Sequence, residues 1–322
     1  MTNDPYFIDF PGRIKAIQRE MAVDGIDVYL GSRLRTMSWT TDAFFPWRSY
    51  IVIPAEGLPT AFTFVIDAAR AADESWLDSD HVLGFAPMGG QDQITAISDL
   101  ILHHLKGKKG VVGVEAGMSN YLPEGNLTHF EYQAFEAALP GIKLVNALDI
   151  VDRLSVIKDE GTINRFRKAG LMADAGHVAV FNAIKNGGFK KYTETEIAGI
   201  AAMAMREAGS TWEWSFTGGN EIASGYRTGL MGGACTPPTD RKLQAGEPLM
   251  VDLHSTFRLG LGDHTHNYLL APATDRQKWH AKNFVDLVAL VLKTYKPGIT
   301  PSSLADEMML FCEERGFAEY MV

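Results

Sequence analysis

The chain has 322 residues, 46% of them hydrophobic and 21% charged, which is enough apolar material for about two packed domains. Its 39 acidic against 30 basic side chains give a formal net charge of −9, which argues against a nucleic-acid partner, and two cysteines exclude a disulfide framework. No run reaches the ~18 apolar residues of a membrane span, and the start, MTNDPYFIDF, lacks a basic-then-apolar leader, so the expectation is a cytoplasmic α/β or α+β protein.

From Pro11, the residues Ile14, Ile17, Met21 and Val23 recur about one turn apart until Gly25 stops them, which predicts an amphipathic helix. A short apolar run follows at 26–30. Residues 48–54 and 59–66 flank the turn-rich AEGL and predict a hairpin. Helical patterns near 68–76, 93–105 and 129–138, with a short buried strand at 111–114, predict a mixed sheet covered by helices. This half has neither a glycine-rich phosphate loop nor metal-spaced histidines. It reads as architectural: a wall for a cleft, or a subunit contact.

Charge density rises near 148–158, which divides a domain at 1–150 from one at 151–322. Ile163, Phe166, Ala169 and Met172 give helical periodicity to 160–184. A second helix starts at about Thr193, a cap with Glu196 three residues later, and stops at Gly209. Residues 211–217 alternate like a strand, with Trp212, Trp214 and Phe216 on one side as core or cleft wall. A glycine-studded loop then runs from Gly218 to Pro237-Pro238. Strands at 248–255 and about 263–270 and helices at about 277–294 and 302–315 complete the chain.

The chemistry lies in 246–270. Asp252 sits inside an apolar strand and Asp263 stands eleven residues later. A hairpin centred on Phe257-Arg258 would oppose them directly, with Cβ atoms ~4.5–5.5 Å apart. Two carboxylates held so close need a shared proton or a cation, and a bridging divalent metal is the economical answer. The same spacing also suits a solvated rim acid, and Phe257-Arg258 is a poor hairpin turn, so this register is an assumption. Alternation puts Met250 and His254 on the face of Asp252 and Thr265 on that of Asp263, with His264 and His266 pointing the other way. His254 reads as a ligand or acid/base, or as a hydrogen-bonded histidine in a half-buried strand. His264 and His266 read as structural.

The stretch VDLHSTFRLGLGDHTHNY resembles the metal-strand signature of the pita-bread family, which includes aminopeptidase P, prolidase, methionine aminopeptidase and creatinase. PTDRKLQAGEPLMVD resembles the family's approach to that strand, and RLSVIKDEGTINRFRKAGLMAD its first long helix. FPGRIKAIQREMAVDGIDVYL resembles the opening of the creatinase-type N-terminal domain. The resemblance implies an α/β N-terminal domain plus an α+β pita-bread catalytic domain. It implies Asp252 and Asp263 as the first two metal ligands, with Thr265 and His266 beside the second. Two divalent ions (manganese, cobalt, zinc or iron) and a homodimer whose N-terminal domains complete the site are implied as well.

Against the family pattern, Cys235 stands where a histidine is usual, His254 replaces a glycine two residues after the first aspartate, and His266 replaces an arginine. Cys235 then reads as a nucleophile or ligand, or as a small buried cysteine. The family's remaining ligands, one histidine and two glutamates, lie well beyond the second aspartate, and 322 − 263 leaves 59 residues after it. The expectation is an incomplete catalytic domain, its first part only, with an open sheet edge and an uncovered apolar face. The expected function is a metal-dependent hydrolase like the Xaa-Pro peptidases, cleaving a C–N bond in a small peptide or amide. The alternatives are a creatinase-like hydrolase of a small non-peptide compound, using Cys235 and His254, and a binding protein or catalytically impaired fragment of the same fold.

Overall fold

The structure, a computed structural model, describes residues 4–86, 92–118, 124–212, 219–230 and 236–321. Two compact units divide the chain: residues 1–172, 209–216 and 254–262 form one, and 173–208, 217–253 and 263–322 form the other.

In the first unit, helix α1 (Phe10–Asp24) starts where the Asp9 carboxylate accepts from the Gly12 amide and ends where Gly25 turns left-handed at φ 68°. After it come β1 (Val28–Gly31), α2 (Leu34–Thr41), β2 (Tyr50–Pro54), β3 (Thr60–Phe64) and α3 (Val65–Glu74). Then follow β4 (Val82–Phe85), α4 (Gln93–Leu105), β5 (Val111–Val114), α5 (His129–Ala138), β6 (Lys143–Asn146) and α6 (Asp149–Ser155). The strands form one mixed sheet in the order β4-β3-β2-β1-β5-β6. The expected hairpin is β2–β3, antiparallel with Ile51 opposite Ala61.

Strand alternation feeds two cores. Tyr29, Ile51 and Ile53 pack with Ile17 and Met21 of α1, whereas Leu30, Tyr50 and Val52 pack with Ile97, Ile101 and Phe135 of α4 and α5. Glu115, fully buried, ties this sheet to the turn after β1. It accepts from the Tyr29 hydroxyl, the Ser32 and Arg33 amides, and Arg33 Nε at 2.9 Å.

Helix α7 (Glu160–Ile184) begins in this unit. Its Arg165 grips both carboxylate oxygens of Asp42 and donates to the Arg258 carbonyl at 2.9 Å. The unit also holds a cavity of about 650 Å³ lined by Trp39, Phe44, Phe166 and Trp212 among others. The Trp212 ring meets Phe44 edge-on at 4.4 Å between centroids. Trp214 and Phe216 lie outside the described residues.

The second unit contains the end of α7, then α8 (Glu194–Glu207), which opens on a complete capping box between Thr193 and Glu196. A three-stranded sheet follows in the order β7-β8-β9, made by β7 (Glu221–Ser224), β8 (Pro248–Phe257) and β9 (Gly260–Leu269), and its hairpin tip belongs to the first unit. Helices α9 (Asp275–Thr294) and α10 (Pro301–Glu314) follow, and a short 3-10 turn at Ala318–Tyr320 comes after them. Ile222, Leu249, Val251 and Leu253 share one core with Ala173, Val180, Ile197 and Ala201. That side of the sheet therefore faces α7 and α8. Leu287, Cys312 and Phe317 form a smaller core, while Phe284, Val285, Leu292 and Leu310 are more than half exposed. No described helix is long and apolar enough to cross a membrane.

Candidate metal centre

Because Leu249, Val251 and Leu253 turn toward the helices, alternation turns Met250, Asp252 and His254 to the other face of β8. Asp252 and His254 are 8% and 7% exposed there. Strand β8 ends at Phe257 and β9 resumes at Gly260, which leaves Arg258-Leu259 as a two-residue turn with both residues at positive φ, 45° and 61°.

This corrects the assumed register. The hairpin centre lies one residue later, so counting inward from the turn sets Asp263 across from His254 and Thr265 across from Asp252. The Thr265 hydroxyl accordingly donates to Asp252 Oδ1 at 2.7 Å. Neither arginine nor leucine favours the left-handed region, which is why the turn was not apparent from its residues. The carbonyl of Arg258 is instead held from α7 by Arg165.

The hairpin brings three donors together. Asp252, His254 and Asp263 each offer a ligand atom, all within 4.8 Å of one another, the first two residues buried and Asp263 exposed. Two carboxylates and an imidazole form a donor set that manganese, cobalt, zinc and iron accept, so these residues fit a divalent ion. Cys235 lies outside the described residues.

His264 and His266 project to the opposite face. His264 Nδ1 is 3.0 Å from Asp174, and the His266 ring stacks on His177 at 3.9 Å. His266, expected beside the second ligand, therefore stands with α7. His177, 3% exposed, reaches the His264 carbonyl oxygen at 3.0 Å, and burial lowers its pKa to about 4. Tyr268, 3.3 Å from His177 Nδ1, is pushed up to about 12 by burial.

One acid of this region escaped the sequence reading. Glu221 is the Cα partner of Asp252 in the antiparallel β7–β8 pair and is 3% exposed. Neither of its carboxylate oxygens has a hydrogen-bond partner among the described residues. Strand β7 falls within the segment whose glycines predict a loop, and EIAS, unlike the apolar VVGV of β5, carries no apolar run to mark a strand.

Comparison with known proteins adds the lineage. The profile of the creatinase/prolidase N-terminal domain matches residues 13–157, and that of metallopeptidase family M24 matches residues 164–322. The chain belongs to this metallopeptidase family. Its pita-bread fold is the one the resemblance implied, and the family is one of metallopeptidases. Ectoine hydrolase of Halomonas elongata is 27% identical over 197 residues, 59% of this chain and 48% of that protein. A probable dipeptidase PepE of Mycobacterium tuberculosis is 25% identical over 311 residues, 91% of this chain and 69% of that one. Among solved structures, the prolidase of Pyrococcus horikoshii superposes with TM-score 0.76 at 20% identity, covering 96% of this chain and 79% of its own. The Xaa-Pro dipeptidase of Bacillus anthracis gives 0.77 at 17%, covering 97% and 79%.

Proposed function

We propose that Asp252, His254 and Asp263 form the first part of a metal-dependent active site that hydrolyses the C–N bond of a small peptide, with dipeptides ending in proline as the substrate class. The observation carrying this reading is the convergence of three donors within 4.8 Å on one hairpin. The dipeptidase and prolidase relatives support the substrate class.

Asp252 and Asp263 supply the negative charge, and the Thr265 hydroxyl fixes the orientation of the buried carboxylate. One or two ions, manganese, cobalt, zinc or iron, would polarise the scissile carbonyl and acidify an attacking water when bound. His254 offers a ring nitrogen beside both aspartates, to ligate or to move a proton.

A second reading, hydrolysis of a small non-peptide compound, is favoured by His254, which fills the space of a family glycine, and by the match to ectoine hydrolase.

The test is metal content first and turnover second. After dialysis against manganese, the full chain is expected to hold stoichiometric metal by elemental analysis. Asp252→Asn is expected to bind at least about tenfold more weakly. Equal retention by both proteins would overturn the reading. Hydrolysis of Ala-Pro with none of ectoine would select the first substrate class, and the reverse the second.

A further inference from the structure

We infer that Glu221 is a further carboxylate of this metal centre, closing it on the β7 side. The inference rests on the reading proposed above and adds a ligand to it.

Glu221 pairs with Asp252 and Ile222 with Val251 across two antiparallel strands. Directly opposed residues share a face, with Cβ atoms ~4.5–5.5 Å apart. Ile222 and Val251 enter the helix-facing core, so Glu221 and Asp252 lie together on the other face, the one that presents the donors.

Glu221 is 3% exposed and neither carboxylate oxygen has a hydrogen-bond partner among the described residues. A buried carboxylate with nothing to compensate it is expensive, and a second carboxylate opposite makes it more so.

The neighbouring Glu194 shows how this chain satisfies a buried acid whose role is structural. Fully buried, it accepts from the Ser224 amide and hydroxyl at 2.7 Å each and from the Thr239 hydroxyl at 2.8 Å. It also lies 3.1 Å from Arg227 Nε. Those bonds fix the end of β7, and Glu221 at its start has no such partners. A cation on the Asp252 face is the compensation that its position admits. Three carboxylates and one imidazole then favour an ion at home among oxygen donors, with manganese the first to try.

The experiment compares the full-length wild type with Glu221→Gln, Glu221→Asp and Asp252→Asn, each stripped of metal. Calorimetric titration with manganese chloride is followed by thermal melts in EDTA and in manganese. Glu221→Gln is expected to raise the manganese Kd about 10–100-fold. In EDTA it should melt no lower than wild type, because the uncompensated charge is gone, and manganese should then raise its Tm less. Glu221→Asp keeps the charge one methylene farther back, so an intermediate Kd is expected, and it decides the matter if the glutamine variant does not fold.

Wild-type manganese affinity in Glu221→Gln, or in Glu221→Asp where that variant decides, would overturn the inference. A lower Tm of Glu221→Gln in EDTA would do so too, since it marks a structural hydrogen-bonding role. If Asp252→Asn loses manganese while the Glu221 variants keep it, the inference alone fails. If Asp252→Asn binds like wild type, the metal-centre reading fails with it.

Discussion

His177 stacks on His266 at 3.9 Å, is 3% exposed, and has a pKa near 4 because burial disfavours its charged form. An unfolded histidine titrates at about 6.5, so between those values the unfolded chain binds a proton that the folded chain refuses. The contribution of neutral His177 is therefore complete above about pH 6.5 and is lost as pH falls toward 4, amounting to roughly 2–3 kcal/mol across the window. Urea unfolding of His177→Gln at pH 7 and pH 4.5 is expected to show a smaller loss of stability on acidification than wild type. Equal losses would show that other groups govern the acid limb. Asp252 is legible at this scale because an acid inside an apolar strand breaks its own pattern, and Asp263 through its spacing of eleven residues from it. Glu221 is not, since it stands among glycines where no pattern exists to be broken.

Helices with strong periodicity and caps were read closely: Gln93–Leu105, His129–Ala138 and Glu160–Ile184 fall where the sequence put them. Four residues carry almost no periodicity, so β1 and β5 are legible only as short apolar runs, and the equally short β4, β6 and β7 are not legible. The β8–β9 register failed for a different reason. Its turn is held by Arg165, 93 residues away from the carbonyl it grips, and no local residue preference reports that. The clearest element-level dependence is that of β7 on Glu194, whose carboxylate holds the strand's last residue. Glu194→Ala is expected to cost about 3–5 kcal/mol in chemical denaturation, since it strands buried donors and the Arg227 cation. Thr193→Ala, which removes only the cap of α8, is expected to cost about 1 kcal/mol.

For the molecule as a whole, metal and stability are linked by mass action, because an ion that binds the folded chain and not the unfolded one shifts the equilibrium by RT ln(1 + [L]/Kd). At a hundredfold excess over Kd this is about 2.7 kcal/mol, so scanning calorimetry should show a Tm that climbs with manganese concentration and falls back in EDTA. Asp252→Asn should flatten that dependence. The charge of −9 bears on a different expectation, that nucleic acid is not a partner, and retention on an anion exchanger rather than on heparin is the outcome that agrees with it.

Solvent reaches the three acids of the small sheet unequally: Glu221 is sealed at 3%, Asp252 nearly so at 8%, and Asp263 stands open. On the metal-centre reading proposed above, an arriving ion would first trade hydration water for protein oxygen at the outermost carboxylate and come to rest at the sealed ones. Substitutions at Asp263 will register in how fast the centre fills, and substitutions at Asp252 in how long it stays filled. A stopped-flow chelator assay separates these two rates.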